Sequence, residues 1–492
     1  MSATHFRYSM AIGALAVLAA CGGGNDDSPV QTSSTQSAIG VISGFGSVIV
    51  NGVRFDDRAA AITMNGATAT RDRLRVGMVV QVRGRIHGDG TGVAESIQYE
   101  NCVQGPITAM NRVQNTLTVA GQTVQVDDGT VFDGVTLRDM NAFAIGDQVE
   151  VSCYRDQAQN RLRATRMERQ GMFQSGASEI EVKGTVSQLN LAAGTCMIDG
   201  LMLNFGALAA ADRPAGLANG MNVQARGRHF ANGLLTADLL RDRDRDRISR
   251  PDGDGLEVEG YVNDFVSIAN FKIDGQAINA ANAVIRNGTA ADVANGAKAE
   301  AEGTMSNGVL VATVLVLKLQ TQVRVEAGLQ DKDSTQGTIT LLGRSFKVNA
   351  DTELRDRLAS YNQPTVVTLD ALKLTDRLEV KAYTDAAGDL VAARVERTEA
   401  DPLVVVKGPV DAKLPNTRLT LFGIVVDTGV ASRYRDASGA LVDATTFYAA
   451  VQMPPAVPST VHARGVVARP ASNTVDATRT ASTIGELEIG EH

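Results

Sequence analysis

The sequence predicts an all-β protein: a tandem array of six small antiparallel β-barrel modules that follow an export signal and a flexible tether. Three observations predict this fold class. Apolar and polar residues alternate with period two, as in strands that bury one face. Tight glycine turns separate these runs. The same order of strands and turns recurs six times along the 492 residues.

The first 20 residues predict an export signal. Arg7 precedes an apolar run at residues 11–20 that ends in small residues. This run is shorter than the ~20 apolar residues that span a bilayer. Residues 18–21, Leu-Ala-Ala-Cys, resemble the lipobox of bacterial lipoproteins, whose cysteine is acylated and becomes the new N-terminus. We therefore expect lipid attachment at Cys21. An ordinary secretory signal that contains a cysteine is the alternative.

The residues after Cys21 bear on where the protein is anchored. Gly22 stands where an aspartate typically retains lipoproteins of Gram-negative bacteria in the inner membrane. The resemblance therefore implies a lipid anchor in the outer membrane, with the folded part facing the periplasm or the cell surface. Residues 21–37 have almost no hydrophobic side chains, and they predict a flexible tether.

Module one shows the pattern that the later modules repeat. Strands are predicted at residues 39–43, 47–51 and 53–55. Asn51-Gly52 joins the second and third strands, and it is a strong hairpin signal because both residues tolerate a positive φ. A polar, less regular connector follows. Two further strands, joined by a glycine-rich turn, complete the module.

The hairpin glycines recur every 68 to 80 residues, which fixes the number of modules. They are Gly52, Gly121, Gly200, Gly275, Gly343 and Gly423. The predicted modules run at residues 38–101, 102–175, 176–250, 251–322, 323–401 and 402–492. The last strand is least distinct in module six, near residues 477–481.

The strand order within a module predicts its architecture. Three strands, an irregular connector and two more strands resemble an OB-fold, a small closed barrel that hides its strand edges. A small open sandwich is the alternative. No long helix is predicted.

Module one also resembles a known family. Residues 44–53 read Gly-Phe-Gly-Ser-Val-Ile-Val-Asn-Gly-Val. Residues 38–100, which contain them, closely resemble a tandem module of bacterial outer-membrane lipoproteins that is classified as a domain of unknown function. The resemblance is specific in modules one to three and weaker in the last three, which lack the Phe-Gly element. It implies the module count and the envelope location, and it implies no activity.

Composition argues against nucleic acid as a partner. Proteins that bind single strands on an OB-fold use a basic groove with stacking aromatic residues. This chain has a net charge of −8 and only 4% aromatic residues. We therefore expect no nucleic-acid partner.

No motif predicts catalysis, a metal or a cofactor. His87, His229, His462 and His492 are dispersed, and no two of them have the spacing of metal ligands. There is no nucleophile elbow and no Walker loop. Gly44-Phe45-Gly46 precedes a strand rather than a helix, which favours a bulge with a packed phenylalanine over a phosphate site.

The segment at residues 241–247 alternates arginine with aspartate. Its aspartate spacing, with Asp252 and Asp254 after it, has some similarity to a calcium loop. The intervening arginines neutralise the carboxylates, and the glutamate that closes a calcium loop is not in register. We predict a solvated linker at the end of module three, with calcium binding as the alternative.

Three cysteines remain after Cys21. Cys102 immediately precedes the first strand of module two, and Cys153 ends a later strand of the same module. An OB-like barrel pairs these two strands, so we predict a Cys102–Cys153 disulfide in an oxidising compartment. Cys196 lies at a core position of module three, and we expect it to be a buried free thiol. Three unpaired thiols are the alternative.

Together these features predict a non-catalytic binding or structural protein of the cell envelope. We expect its barrels to form an extended array that presents surfaces to a protein partner. The alternative is an envelope ligand-binding protein with a small-molecule or ion pocket between modules.

Overall fold

The computed structural model describes residues 36–135, 140–243, 251–428, 432–467, 474–476 and 486–490. The predicted signal, Cys21, most of the tether and residues 244–250 of the arginine–aspartate linker lie outside these ranges. The all-β prediction is confirmed, and the strands form small closed five-stranded barrels. Within the described ranges no helix is long and apolar enough to cross a membrane.

Module one shows how each barrel closes. Its strands are β1 (Gln36–Gly44), β2 (Val48–Val50), β3 (Val53–Asp56), β4 (Ala61–Met64), β5 (Ala67–Ala69), β6 (Val79–Ile86) and β7 (Thr91–Tyr99). The ring closes in the order β1-β2-β3-β7-β6-β1, and only the β3–β7 pair is parallel. This is the strand order of an OB-fold. β1 begins inside the predicted tether because Gln36 and Ser37 are paired on both strand edges.

Modules two and three repeat this ring. Module two contains β8 (Val103–Asn111), β9 (Thr116–Val119), β10 (Gln122–Gln125), β11 (Val131–Asp133), β12 (Asp147–Asp156) and β13 (Arg161–Met172). Module three contains β14 (Ile180–Asn190), β15 (Thr195–Ile198), β16 (Leu201–Asn204), β17 (Asn222–Gly227), β18 (His229–Ala231), β19 (Leu234–Thr236) and β20 (Leu239–Asp242). In module three each of the last two barrel strands is interrupted, which gives β17 with β18 and β19 with β20.

Modules four and five are built in the same way. Module four contains β21 (Gly255–Ser267), β22 (Asn270–Ile273), β23 (Gln276–Asn279), β24 (Val284–Arg286), β25 (Lys298–Ser306) and β26 (Val309–Leu317). Module five contains β27 (Val323–Gly328), β28 (Asp331–Asp333), β29 (Thr338–Leu341), β30 (Arg344–Lys347), β31 (Glu353–Asp356), β32 (Thr365–Val366), β33 (Arg377–Thr384) and β34 (Leu390–Thr398).

Module six includes a short helix. Its elements are β35 (Leu403–Leu414), β36 (Arg418–Leu421), β37 (Ile424–Asp427), β38 (Arg433–Arg435), β39 (Leu441–Val442), α1 (Ala444–Ala450), β40 (Thr460–Val467), β41 (Thr474–Asp476) and β42 (Glu486–Gly490). The Asp443 carboxylate caps α1 by accepting a hydrogen bond from the Thr446 N–H at 2.7 Å. The indistinct last strand is expected near residues 477–481, which lie outside the described ranges, between β41 and β42.

The six hairpin glycines adopt the predicted turn conformation. Their φ values lie between 72° and 99°, and the residue before each of them also has a positive φ. The polar, less regular connector is partly ordered in most modules. The connector contains a short strand that pairs in parallel with the far end of the module's last strand, as β4 does with β7 and β24 with β26.

The barrels associate in pairs through their first strands. β8 pairs with β14 and β27 with β35, both antiparallel, whereas β1 pairs with β21 in parallel. The N-terminal half of a first strand uses one edge inside its own barrel, so the other edge is open to a neighbour. The resulting pairs are modules two and three, five and six, and one and four.

The expected extended array is wrong, because contacts also join modules that are distant in sequence. The Tyr154 hydroxyl of module two donates to the Glu259 carboxylate of module four at 3.1 Å. The Arg226 side chain of module three donates to the Asn65 carbonyl of module one at 3.0 Å. Ile39 of module one is buried in the core of module four. The six barrels therefore pack into one body.

Candidate functional site between modules one and five

Residues 357–366 of module five follow β31, lead towards β33 and contact module one. We call them the bridging segment. The Phe45 N–H donates to the Pro364 carbonyl at 2.7 Å, and the Val76 N–H donates to the Asn362 carbonyl at 3.0 Å. The Gln363 side-chain amide donates to the Leu74 carbonyl at 3.1 Å. Hydrogen bonds in both directions therefore fix the bridging segment to module one.

The Gly44-Phe45-Gly46 element positions this contact. The pairing of β1 with β2 shifts register here, as expected for a bulge. The Phe45 side chain is buried in the core of module one. Gly46 has a φ of 116°, which favours glycine. The backbone of Phe45 is thereby turned towards the bridging segment while its ring stays in the core.

A half-open cavity of about 550 Å³ lies at this contact; we call it the cleft. Its lining residues are Phe45, Gly46, Thr70, Arg71, Asp72, Gln363 and Thr365. A 3-10 turn, Arg71–Arg73, forms one wall. The Arg71 guanidinium pairs with the buried Asp57 carboxylate. A hydrogen bond from the Thr70 hydroxyl holds the pKa of Asp72 below its ordinary value.

A second cavity of about 350 Å³ lies at the start of the bridging segment, lined by residues 357–361, Arg377 and residues 398–401. Arg357 donates to the carboxylates of Glu379 and Glu396 at 3.0 Å each. Arg377 donates to Glu326 at 3.0 Å. Protein carboxylates therefore already bind the guanidinium groups of Arg357 and Arg377, and these ion pairs are structural.

A buried arginine connects the modules around the cleft. The Arg166 side chain of module two is 2% exposed. It donates to the Val76 carbonyl of module one at 3.2 Å and to the Asn362 side chain of module five at 3.3 Å. Its own module supplies the counter-charges, Asp133 and Glu168. Arg166 therefore fastens three modules at one point.

A second ionic contact joins module two to modules five and six. The Lys407 ammonium donates to both carboxylate oxygens of Asp128, at 2.8 and 2.9 Å, and Lys381 donates to the Asp128 carbonyl. Burial alone would raise the pKa of Asp128. The ammonium groups of Lys407 and Lys381 outweigh burial and lower it.

The titratable groups with strongly raised pKa values are enclosed rather than open to a substrate. The Tyr99 hydroxyl donates to the Glu150 carboxylate at 2.8 Å, and burial raises the pKa of both groups. Among the residues that the structure describes, no three histidine, cysteine or acidic side chains are grouped so that they could hold a metal ion.

The cysteine residues singled out in the sequence occupy distinct environments. Cys102 and Cys153 form a disulfide, with their Cα atoms 5.9 Å apart, and this is the pairing that the sequence favours. Cys196 is free and buried, and burial raises the pKa of its thiol to about 11. His87, His229 and His462 remain in separate modules, and His492 lies outside the described residues.

The residues of the cleft carry little signal in the sequence. Arg71 and Asp72 lie in the polar connector of module one, and the bridging segment lies in that of module five. The conspicuous feature is the Phe-Gly element, for which the sequence predicts a packing role within one module. Its backbone contact with another module depends on how the barrels pair, which no local pattern specifies.

Comparison with known proteins gives a family but no activity. No curated protein matches the chain. The solved structures that match include one titled "drosophila Unr CSD456", which is 12% identical. That match covers 61% of this chain and 98% of the other, with a TM-score of 0.12.

The family described as "Domain of unknown function (DUF5666)" matches residues 38–98, 104–168, 257–315 and 319–396. These ranges correspond to modules one, two, four and five. The expectation that module three resembles the family more than modules four and five is therefore wrong. Four matched copies cover more than half of the sequence, and the chain belongs to this family of unknown function.

Proposed function

We propose that this protein is a cell-envelope lipoprotein, acylated at Cys21 and anchored in the outer membrane, whose six-barrel body binds a protein partner without catalysing a reaction. The cleft is the observation that carries the proposal. It is the larger of the two cavities that residues of the bridging segment line, and the packed Phe45 of the family-like element forms part of it.

The chemistry of the cleft favours binding over catalysis. Its lining holds no histidine, cysteine or lysine. The Asp72 carboxylate, whose pKa is lowered, is ionised at neutral pH and is a weak proton acceptor. The lining offers hydrogen-bonding groups and an apolar floor, which suit recognition.

The hydrogen-bonded surroundings of the cleft support the same proposal. The bridging segment is held by backbone hydrogen bonds and by Arg166. A surface that is already ordered loses little conformational entropy when a partner binds. A body of six packed barrels can therefore present the cleft in one fixed shape.

A small-molecule pocket is the second candidate function. The cleft volume of about 550 Å³ falls within the range of ligand pockets. A small molecule with an apolar group could contact Phe45 and Gly46. In this case a thermal-shift screen should find compounds that stabilise the protein.

Two experiments test the proposal. Cys21→Ser should move the protein from the membrane fraction to the soluble fraction. A photo-crosslinking residue at Thr365, which lines the cleft, should capture a specific protein in intact cells, whereas one at the exposed Ser306 of module four should not. Unchanged membrane association would contradict the lipid anchor. Equal capture at both positions, or capture at neither, would contradict the binding role of the cleft.

A further inference from the structure

The segment that supplies one wall of the cleft is basic although the chain is acidic; its Arg71 and Asp72 line the cleft, and Arg73 and Arg75 follow them as the rim. Residues 71–75 read Arg-Asp-Arg-Leu-Arg, so three guanidinium groups stand beside one carboxylate. The whole protein has a net charge of −8. A local concentration of positive charge at a cavity favours an anionic partner.

The pairing of these side chains shows how much positive charge stays uncompensated. The Arg71 charge is balanced by Asp57. Arg75 donates to the backbone carbonyls of Asp72 and Leu74, which bear no net charge. The Arg73 side chain is exposed, and no ion pair involves it within the described part of the chain. With Asp72 as the one further carboxylate, the rim keeps an excess of positive charge.

The floor and the far wall of the cleft suit apolar groups on an extended chain. Phe45 and Gly46 line the floor, and a Cβ atom added at Gly46 would meet no atom within 4 Å. On the far wall, Thr365 is exposed, and its neighbour Val366, which lies outside the lining, is 38% exposed. The cleft is half open, so a segment can lie across it.

We propose that the cleft binds an acidic, extended segment of the protein partner. Carboxylates of that segment contact Arg73 and Arg75, and its apolar side chains pack over Gly46 and the small part of Phe45 that the cleft leaves exposed. Arginine clusters recognise acidic motifs in this way in other binding proteins. This inference rests on the proposed function and specifies the chemistry of the partner.

A peptide-binding measurement tests the charge requirement. The full mature chain is titrated into a fluorescently labelled peptide of alternating glutamate and leucine, and into the same peptide with lysine in place of glutamate. Fluorescence anisotropy should show binding of the glutamate peptide only. Raising the salt concentration from ~0.05 to ~0.5 M should weaken binding, because exposed charges are screened. Equal binding of both peptides would overturn the proposal.

Matched variants locate the site. Arg73→Glu should weaken binding of the glutamate peptide by about tenfold or more, since it reverses a rim charge. Arg54→Glu is the control, because Arg54 is also an exposed arginine of module one and does not line the cleft. Thr365→Trp should also weaken binding by filling the cleft. Equal effects of the two arginine substitutions would overturn the proposed site.

Two further outcomes separate this inference from the proposed function. If the glutamate peptide binds and octanoate, a small carboxylate with an apolar tail, does not displace it, the acidic-segment proposal is supported. If octanoate binds the cleft and the peptide does not, a small-molecule pocket replaces it. If crosslinking from Thr365 in cells survives Arg73→Glu, the acidic-segment inference fails while the partner-binding proposal stands. If Thr365 captures no protein in the unsubstituted chain, the proposed function itself fails.

Discussion

At the scale of single residues, His462 is held neutral by its surroundings. It lies on β40, opposite Lys407 of β35 and Glu488 of β42. Burial, together with the positive charges of Arg324 and Lys407, lowers its pKa to about 4. Among the described residues its Nε2 atom has no hydrogen-bond partner. Protonating this ring in the folded protein is therefore unfavourable.

This histidine makes the stability depend on pH. Above about pH 6.5, His462 is neutral in both the folded and the unfolded protein, so its protonation does not lower the free energy of unfolding there. As the pH falls from 6.5 to 4, only the unfolded chain takes up the proton, so the free energy of unfolding decreases by up to about 3 kcal/mol. In His462→Gln this decrease should be smaller. Urea unfolding across this pH range measures it, with His87→Gln, an exposed turn histidine, as the control. Equal effects of both substitutions would contradict the prediction.

At the scale of elements, two hairpins meet backbone to backbone. The hairpin β9–β10 of module two ends in Gly121, and the hairpin β15–β16 of module three ends in Gly200. A Cβ atom at Gly121 would lie 2.8 Å from the Gly200 carbonyl oxygen, and one at Gly200 would lie 2.5 Å from that of Gly121. Glycine serves here both for its positive φ and for the close approach of two modules.

A pair of substitutions separates these two roles. Gly308 has a φ of 76°, and a Cβ atom added there would meet open space, so Gly308→Ala introduces backbone strain alone, about 1 kcal/mol. Gly200→Ala introduces similar strain and a clash with the facing hairpin, about 1–3 kcal/mol more. Urea unfolding compares the two variants. Equal destabilisation of the two variants would show that the facing hairpins can move apart without a cost in stability.

The elements differ in how far the sequence predicts them. Asn51-Gly52, Asp199-Gly200 and Asp274-Gly275 specify hairpins locally, through residues that tolerate a positive φ. In the other three modules the glycine alone carries this signal, and its regular spacing made the barrels predictable. The short strand β4 was missed although it forms a local hairpin with β5 at Asn65-Gly66, where both residues have a positive φ. Its parallel pairing with β7, 35 residues later, has no local signal. The cleft was not predictable, because every module offers a similar open edge on its first strand, and the sequence does not state which edges meet.

At the scale of the whole molecule, the modules are coupled through buried charges. Arg166 and the bridging segment connect modules one, two and five. Modules that share such contacts are not independent of one another. A substitution at one of these contacts should therefore destabilise other modules as well as its own.

Removing Arg166 tests this coupling. Arg166→Ala leaves Asp133 and Glu168 without their shared guanidinium and should destabilise the protein by about 3–5 kcal/mol. Limited proteolysis should then cut modules one, two and five together. Arg58→Ala removes an exposed ion pair with Asp56 and should change little. Cleavage confined to module two in Arg166→Ala would contradict the coupling.

The parallel pairing of β1 with β21 has a consequence for the order of folding during synthesis. Ile39 is buried against the core of module four, and its ladder partner is Val258. β1 is synthesised before modules two and three, and β21 is synthesised after them. Until β21 is made, module one has an open strand edge and an exposed Ile39. Modules two and three are consecutive and antiparallel, and they can assemble meanwhile. Such long-range pairing forms slowly and exposes the chain to aggregation. Nascent chains that stop before residue 255 should therefore depend on chaperones more than the complete protein does.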